Sequence, residues 1–152
     1  MKINFSIPAV LLCIFFSCTR GISNHENKVT ECVDSFAIHY FNYQFFQTKP
    51  FVTNDSEKWL ELAASNVTQS DIDILRNQEQ AATIETENIT FNSGDSVAIA
   101  SIKVHHFLDM NNIAAGSRFV DEGSFHLTVV RNEGKWKVRM EGLPRNEKRS
   151  HD

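Results

Sequence analysis

The sequence predicts an α+β domain: a long N-terminal helix plus short helices packed on a curved four-stranded antiparallel sheet. Two observations predict it. Apolar residues recur at helical spacing between 29 and 47, and beyond residue 83 the apolar period changes to two. Helices followed by strands joined through short turns is the α+β order, in which a sheet buries one face under helices and wets the other.

The elements follow in chain order. Val29, Cys32, Val33, Phe36, Ala37, Tyr40, Tyr43 and Phe46 form the stripe of an amphipathic helix over 29–47, widened by Phe41 and Phe45. Pro50 is expected to end it, because the residue before a proline avoids helical backbone. Asn54 or Asp55 can cap a short helix over 57–64, with Trp59, Leu60 and Ala63 inward. Ser70 and Asp73 have capping-box spacing for a third helix, with Ile72 and Leu75 as its buried candidates.

Four strands are expected over 84–91, 96–108, 117–131 and 135–141. Asn92-Ser93-Gly94-Asp95 and Asn132-Glu133-Gly134 are turn signals, and residues 109–116 read as a loop. By alternation Ala98, Ala100, Ile102, Val104, His106 and Leu108 share the inner face. Phe119, Phe125, Leu127, Val129, Trp136, Val138 and Met140 join them, while Lys135, Lys137 and Arg139 face out.

Residues 1–17 read as a signal peptide. Lys2 supplies a short positive start, and Ile3 to Phe16 is too short an apolar run to span a bilayer. The run ends on Ser17-Cys18, which resembles a bacterial lipobox with Phe15 in place of the usual Leu. Cys18 is then the lipidated residue of the mature chain, anchoring it to a membrane without embedding it. The alternative is a secreted protein, cut after Gly21. Residues 18–28 read as a polar tether, 29–142 as one domain, and 143–152 as a frayed polar tail. Only Cys32 remains inside the domain, on the helix stripe, where it is expected to be a small core residue.

Composition excludes several classes. The 152 residues carry a net charge of -4, which argues against a nucleic-acid binder that works by phosphate neutralisation. There is no Gly-rich phosphate loop and no Gly-x-Ser-x-Gly elbow, and no cofactor is expected. His105 and His106 are adjacent on a strand and point to opposite faces, while His25, His39 and His126 lack ligand spacing, so no metal is expected. Three sequons beyond the leader, at Asn54, Asn66 and Asn88, are near the number chance supplies in an Asn-, Ser- and Thr-rich chain. Charge is uneven: residues 53–95 hold nine acidic and two basic side chains, whereas 131–152 hold seven basic and four acidic. The basic strand face reads as solvated.

Phe125-His126-Leu127-Thr128-Val129-Val130 followed by Gly134-Lys135-Trp136-Lys137-Val138 resembles the closing strands of the cone-shaped nuclear transport factor two-like, or cystatin-like, superfamily. The resemblance covers roughly residues 29–141 and is nearest to small bacterial lipoproteins carrying that fold. It implies a sheet curled around the long helix, frequent dimers through the sheet face, and, with Thr19 after the cysteine, sorting to the outer membrane facing the periplasm. The fold hosts enzymes and pure binding modules alike, so it leaves function open.

Three functions follow as expectations. The first is a non-catalytic envelope binding domain for a small apolar ligand, a peptide or an envelope protein, with Tyr40, Tyr43 and His106 as ligand-binding candidates. The second is a small lyase or isomerase in which Asp121 orients His106 as general base, the two lying together on the inner face. The third is a structural or assembly protein, dimeric through the sheet. A hollow interior of roughly 300 Å³ or more favours the first two, and a filled one the third.

Overall fold

The computed structural model describes residues 20–109 and 117–147. The leader, Cys18, the expected loop over 110–116 and the last five residues lie outside the described residues. Helix α1 spans Arg20–Phe41. It begins earlier than the apolar stripe announced, so residues 20–28, read as a tether, are helical. The reason is tertiary: Val29 is fully buried, and the His25 ring meets Trp136 edge-on at 6.3 Å. This polar start of the helix gains a packing partner only when the strand that carries Trp136 folds beneath it.

The same helix ends earlier than Pro50 implied. The Tyr43 N–H donates to the Tyr40 carbonyl (3.1 Å) and the Gln44 N–H to the His39 carbonyl (2.9 Å), with Tyr43 at φ 62°. This is a Schellman cap with tyrosine in the left-handed position that glycine usually takes. Asn42 fastens the corner. Its side-chain amide donates to the Ala82 carbonyl (3.1 Å) and accepts from the Ala82 N–H (2.9 Å). The chain resumes as α2, Phe45–Thr48, and Pro50 falls inside a following 3-10 turn, Lys49–Phe51. Phe46, assigned to the buried stripe, is 85% exposed, because the cap rotates the stripe out of phase.

Val52 then pairs in parallel with Val138, and the Thr53 N–H donates to the Val138 carbonyl (3.0 Å). Ser56, fully buried, accepts the Met140 N–H at 2.8 Å, so this stretch lies along the outer edge of the last strand. A 3-10 turn, Asn54–Ser56, leads into α3, Glu57–Ser65, which buries Leu60 and Ala63 as expected. Helix α4 spans Gln69–Arg76. Its capping box is Thr68 with Asp71, two residues before the expected Ser70 and Asp73. Both spacings fit the motif, but Asp71 is the buried carboxylate, while Ile72 and Leu75 are only half-buried.

The sheet is an antiparallel meander of β1 (Thr83–Phe91), β2 (Val97–Asp109), β3 (Arg118–Asn132) and β4 (Lys135–Arg139), in that spatial order. The fold is α+β, as the period change predicted. A bulge between Thr86 and Asn88 lets Ile84 and Ile89 both pack inward. Ala98, Ala100, Ile102 and Val104 alternate inward on β2, and Phe125, Leu127 and Val129 on β3, against Val29, Val33, Phe36 and Ala37 of α1. The alanines are the small partners that let a helix with three core aromatics lie close to the strands.

Alternation breaks at His106, which has φ 54°. A left-handed residue inside a strand reverses the faces that follow. Phe107 therefore takes the inward place and His106 is exposed. Across the ladder Val120 pairs with Phe107 and packs on the core, while Phe119 is 44% exposed. The expectation that His106 and Phe119 face inward is corrected on this ground. After β4 the chain does not fray at once: Leu143 to Glu147 lie against the body of the domain.

Candidate functional site

The space between α1 and the sheet is closed by side chains along most of its length. At one end a gap of about 50 Å³ remains. Aromatic side chains build its walls: Phe107 meets Phe41 and Phe125 edge-on, and Phe41 and Phe125 are tilted against each other, with centroid separations of 4.7 to 5.6 Å. Into this apolar end project Tyr40, Tyr43, Asn66 and Asp109, and Leu143 with Pro144 forms the far wall. The volume holds a water or two, well below the few hundred Å³ of an ordinary ligand site.

Each polar group is placed by a local feature. Tyr40 stands one turn before the α1 cap and stacks on Phe36 (5.3 Å). Burial pushes its phenol well above the ordinary tyrosine range. Tyr43 is swung to the gap by its left-handed backbone, a conformation costing about 1–2 kcal/mol in a non-glycine residue. Its hydroxyl donates to the Leu108 carbonyl. Burial first, then the charges of Tyr40, Asp109 and Asp71, push its phenol upward as well. Both phenols are therefore neutral donors at physiological pH.

Asp71 anchors the helix that flanks this end. Its carboxylate accepts the Thr68 N–H and hydroxyl, both at 2.7 Å. Burial works to raise its pKa, but hydrogen bonds from Ser117 and Thr68 outweigh it and hold the carboxyl below its ordinary 3.8. A depressed folded pKa means that the stabilisation is present above the unfolded value and is lost as pH falls through the folded one. Asp71→Asn is therefore expected to cost about 1 kcal/mol at neutral pH, by loss of the capping carboxylate. The gap between the two proteins should close as the pH falls below about 4. Urea denaturation across that range checks it, and parallel curves for the two proteins would reject the assignment.

The His106–Asp121 pair expected on the inner face sits on the outside. The two residues do share one site, an open cleft of about 350 Å³ lined by Gln78, Glu79, Gln80, Phe119 and Val120. Both are exposed, and the core separates them from Tyr40 and Tyr43. Of the expected ligand-binding trio, the fold brings Tyr40 and Tyr43 together and sends His106 elsewhere. Asn66, Asp109, Leu143 and Pro144 were not anticipated. Asn66 is the cap of α3, Asp109 reaches the gap only through the face reversal at His106, and the last two belong to the presumed tail.

The other titratable groups have local roles. His105 lies 3.9 Å from Glu85 and 3.8 Å from Glu122 on the outer sheet face. Among the described residues no cluster of three His, Cys, Asp or Glu side chains is arranged to hold a metal ion. Burial pushes the Cys32 thiol up to about 11, only partly offset by the Val138 backbone and Lys137, so it is a core side chain with little thiolate at neutral pH.

Comparison with known proteins extends the fold and nothing more. No protein-family model matches the chain, and no curated protein does. Among solved structures, a function-unknown protein from Mycobacterium tuberculosis is similar, with a TM-score of 0.54 at 12% identity. The match covers 86% of this chain and 76% of that one. At such low identity it shows a shared architecture only.

Proposed function

We propose that the protein is an envelope lipoprotein, anchored through Cys18, whose domain is a non-catalytic binding module of the cone-shaped nuclear transport factor two-like class. Its ligand is small and largely apolar, with one hydrogen-bond acceptor, and it enters the cone at the Tyr40–Tyr43 end. The observation that carries this reading is the meeting of Tyr40, Tyr43 and Asn66 with the Phe41, Phe107 and Phe125 rings around the gap at that end of the core. The nearly filled interior by itself favours the structural or assembly role, so the binding reading requires that this end of the cone open to admit the ligand. The lipid anchor rests on the Ser17-Cys18 pair closing the apolar leader.

Acetophenone, an aromatic ring with a single carbonyl acceptor, tests the site. Titration followed by amide chemical shifts is expected to perturb Tyr43, Phe107 and Leu108. Tyr40→Phe should weaken binding about 5- to 10-fold, the worth of one neutral hydrogen bond. Tyr40→Trp, which fills the gap, should abolish it. No perturbation at these amides up to about 10 mM ligand would reject the reading.

One observation favours a second reading: His106 and Asp121 do converge on the outer cleft. A lyase or isomerase using that pair would bind its substrate there. Perturbations confined to Phe119, His106 and Gln78, abolished by Asp121→Asn and indifferent to Tyr40→Phe, would replace the first reading with the second.

A further inference from the structure

We infer that the segment Leu143–Glu147 is a strap that closes the ligand site, latched on the outer edge of β3 by Asn146 and Glu147. The inference rests on the binding reading above, and it explains how a gap of about 50 Å³ serves a ligand several times larger.

Each part of the strap has its own place. The fixed end is Met140, buried to 6% exposure and tied through its N–H to Ser56. Gly142 follows, a residue whose missing Cβ leaves its backbone rotation least restricted. Leu143 and Pro144 then form the wall of the gap that neither the helix nor the sheet supplies, opposite Tyr40, Phe45 and Ala63. Beyond the gap, the Asn146 side-chain oxygen accepts the Ser124 N–H at 3.2 Å, and Glu147 pairs with His126. β4 ends opposite Thr128, so this stretch of β3 meets the strap where a neighbouring strand would otherwise run.

The latch is built to yield. His126 and Glu147 are each about half exposed (50% and 49%), and a polar contact open to water holds weakly. The roof contributes two apolar side chains to the gap, Leu143 and Pro144, both half-buried. Gly123 lies directly beneath: a Cβ there would stand 2.8 Å from Asn146 Nδ2 and 2.9 Å from the Phe107 ring. The absence of a Cβ leaves the room that the Asn146 amide and the Phe107 ring both use at this backbone position.

The test uses the full chain and the neutral apolar dye N-phenyl-1-naphthylamine, whose fluorescence rises on burial. His126→Gln and Glu147→Gln are expected to bind the dye about 5- to 10-fold more tightly and faster than the unmodified protein, because a larger fraction is open. Tyr40→Trp added to either should abolish that binding. Equal rates and affinities with and without the latch, in proteins where Tyr40→Trp still blocks the dye, overturn the strap and leave the site intact. Dye binding untouched by Tyr40→Trp overturns the site instead. Hydrogen exchange at the Ser124 amide reads the same motion without any variant. Exchange through a local opening, faster than for the Phe125 and Leu127 amides and insensitive to low denaturant, supports the strap. Exchange only through global unfolding rejects it.

Discussion

Phe36→Ala is expected to destabilise the domain by about 3–5 kcal/mol, the cost of removing a large buried aromatic and leaving a cavity. Phe36 is fully buried in the C-terminal half of α1, where it stacks on Tyr40 and shares the core with the alanines of β2. Those alanines are too small to collapse into the vacated volume, which places the cost at the upper end of the range. For a domain of this size the loss is a large share of a total near 5–15 kcal/mol. Phe46→Ala is the matched control. It deletes the same atoms from the same stretch of sequence, but at 85% exposure it should change stability by no more than about 0.5 kcal/mol. Urea denaturation of both variants checks the pair. Similar costs at the two positions would mean that the helix does not end at Tyr43.

Cys18→Ala is expected to move the protein completely from the membrane fraction to the soluble fraction. The anchor in this reading is the acyl chains on one sulfur and on the new N-terminus, each buried methylene contributing about 0.8 kcal/mol, so removing that residue removes the whole attachment. No helix among the described residues is long and apolar enough to cross a bilayer and hold the protein in its place. Fractionation with a salt wash, together with the mass of the mature N-terminus, decides the matter. A Cys18→Ala protein that stays with the membrane, or a mature chain starting after Gly21 without lipid, would refute the lipoprotein assignment.

Legibility varied with the range of the interactions involved. The four strands and their turns could be read in sequence, because alternation over 98–104 and 125–129 is enforced locally by the pleat and by one buried face. α1 could be read as an element but not at its ends. Its start depends on Trp136 and its stop on a tyrosine accepting the backbone that glycine prefers, and neither leaves a mark on periodicity. The candidate site was half legible: Tyr40 and Tyr43 fall at helical spacing in the sequence, though only Tyr40 lies on α1 and Tyr43 sits in the cap that follows it. His106 was assigned to the wrong face because one left-handed residue reverses the alternation, and residue type alone does not announce it.

The amino-acid sequence by itself determined the class of the fold, the order of its elements and most of the core, since these follow from the spacing of apolar side chains along one chain. Only the tertiary structure decided that the interior is nearly full, that His106 and Asp121 share an outer cleft, and that Leu143 and Pro144 wall the remaining gap. Those facts depend on which distant surfaces meet and how closely their volumes fit, and no local pattern encodes a distance between residues a hundred positions apart.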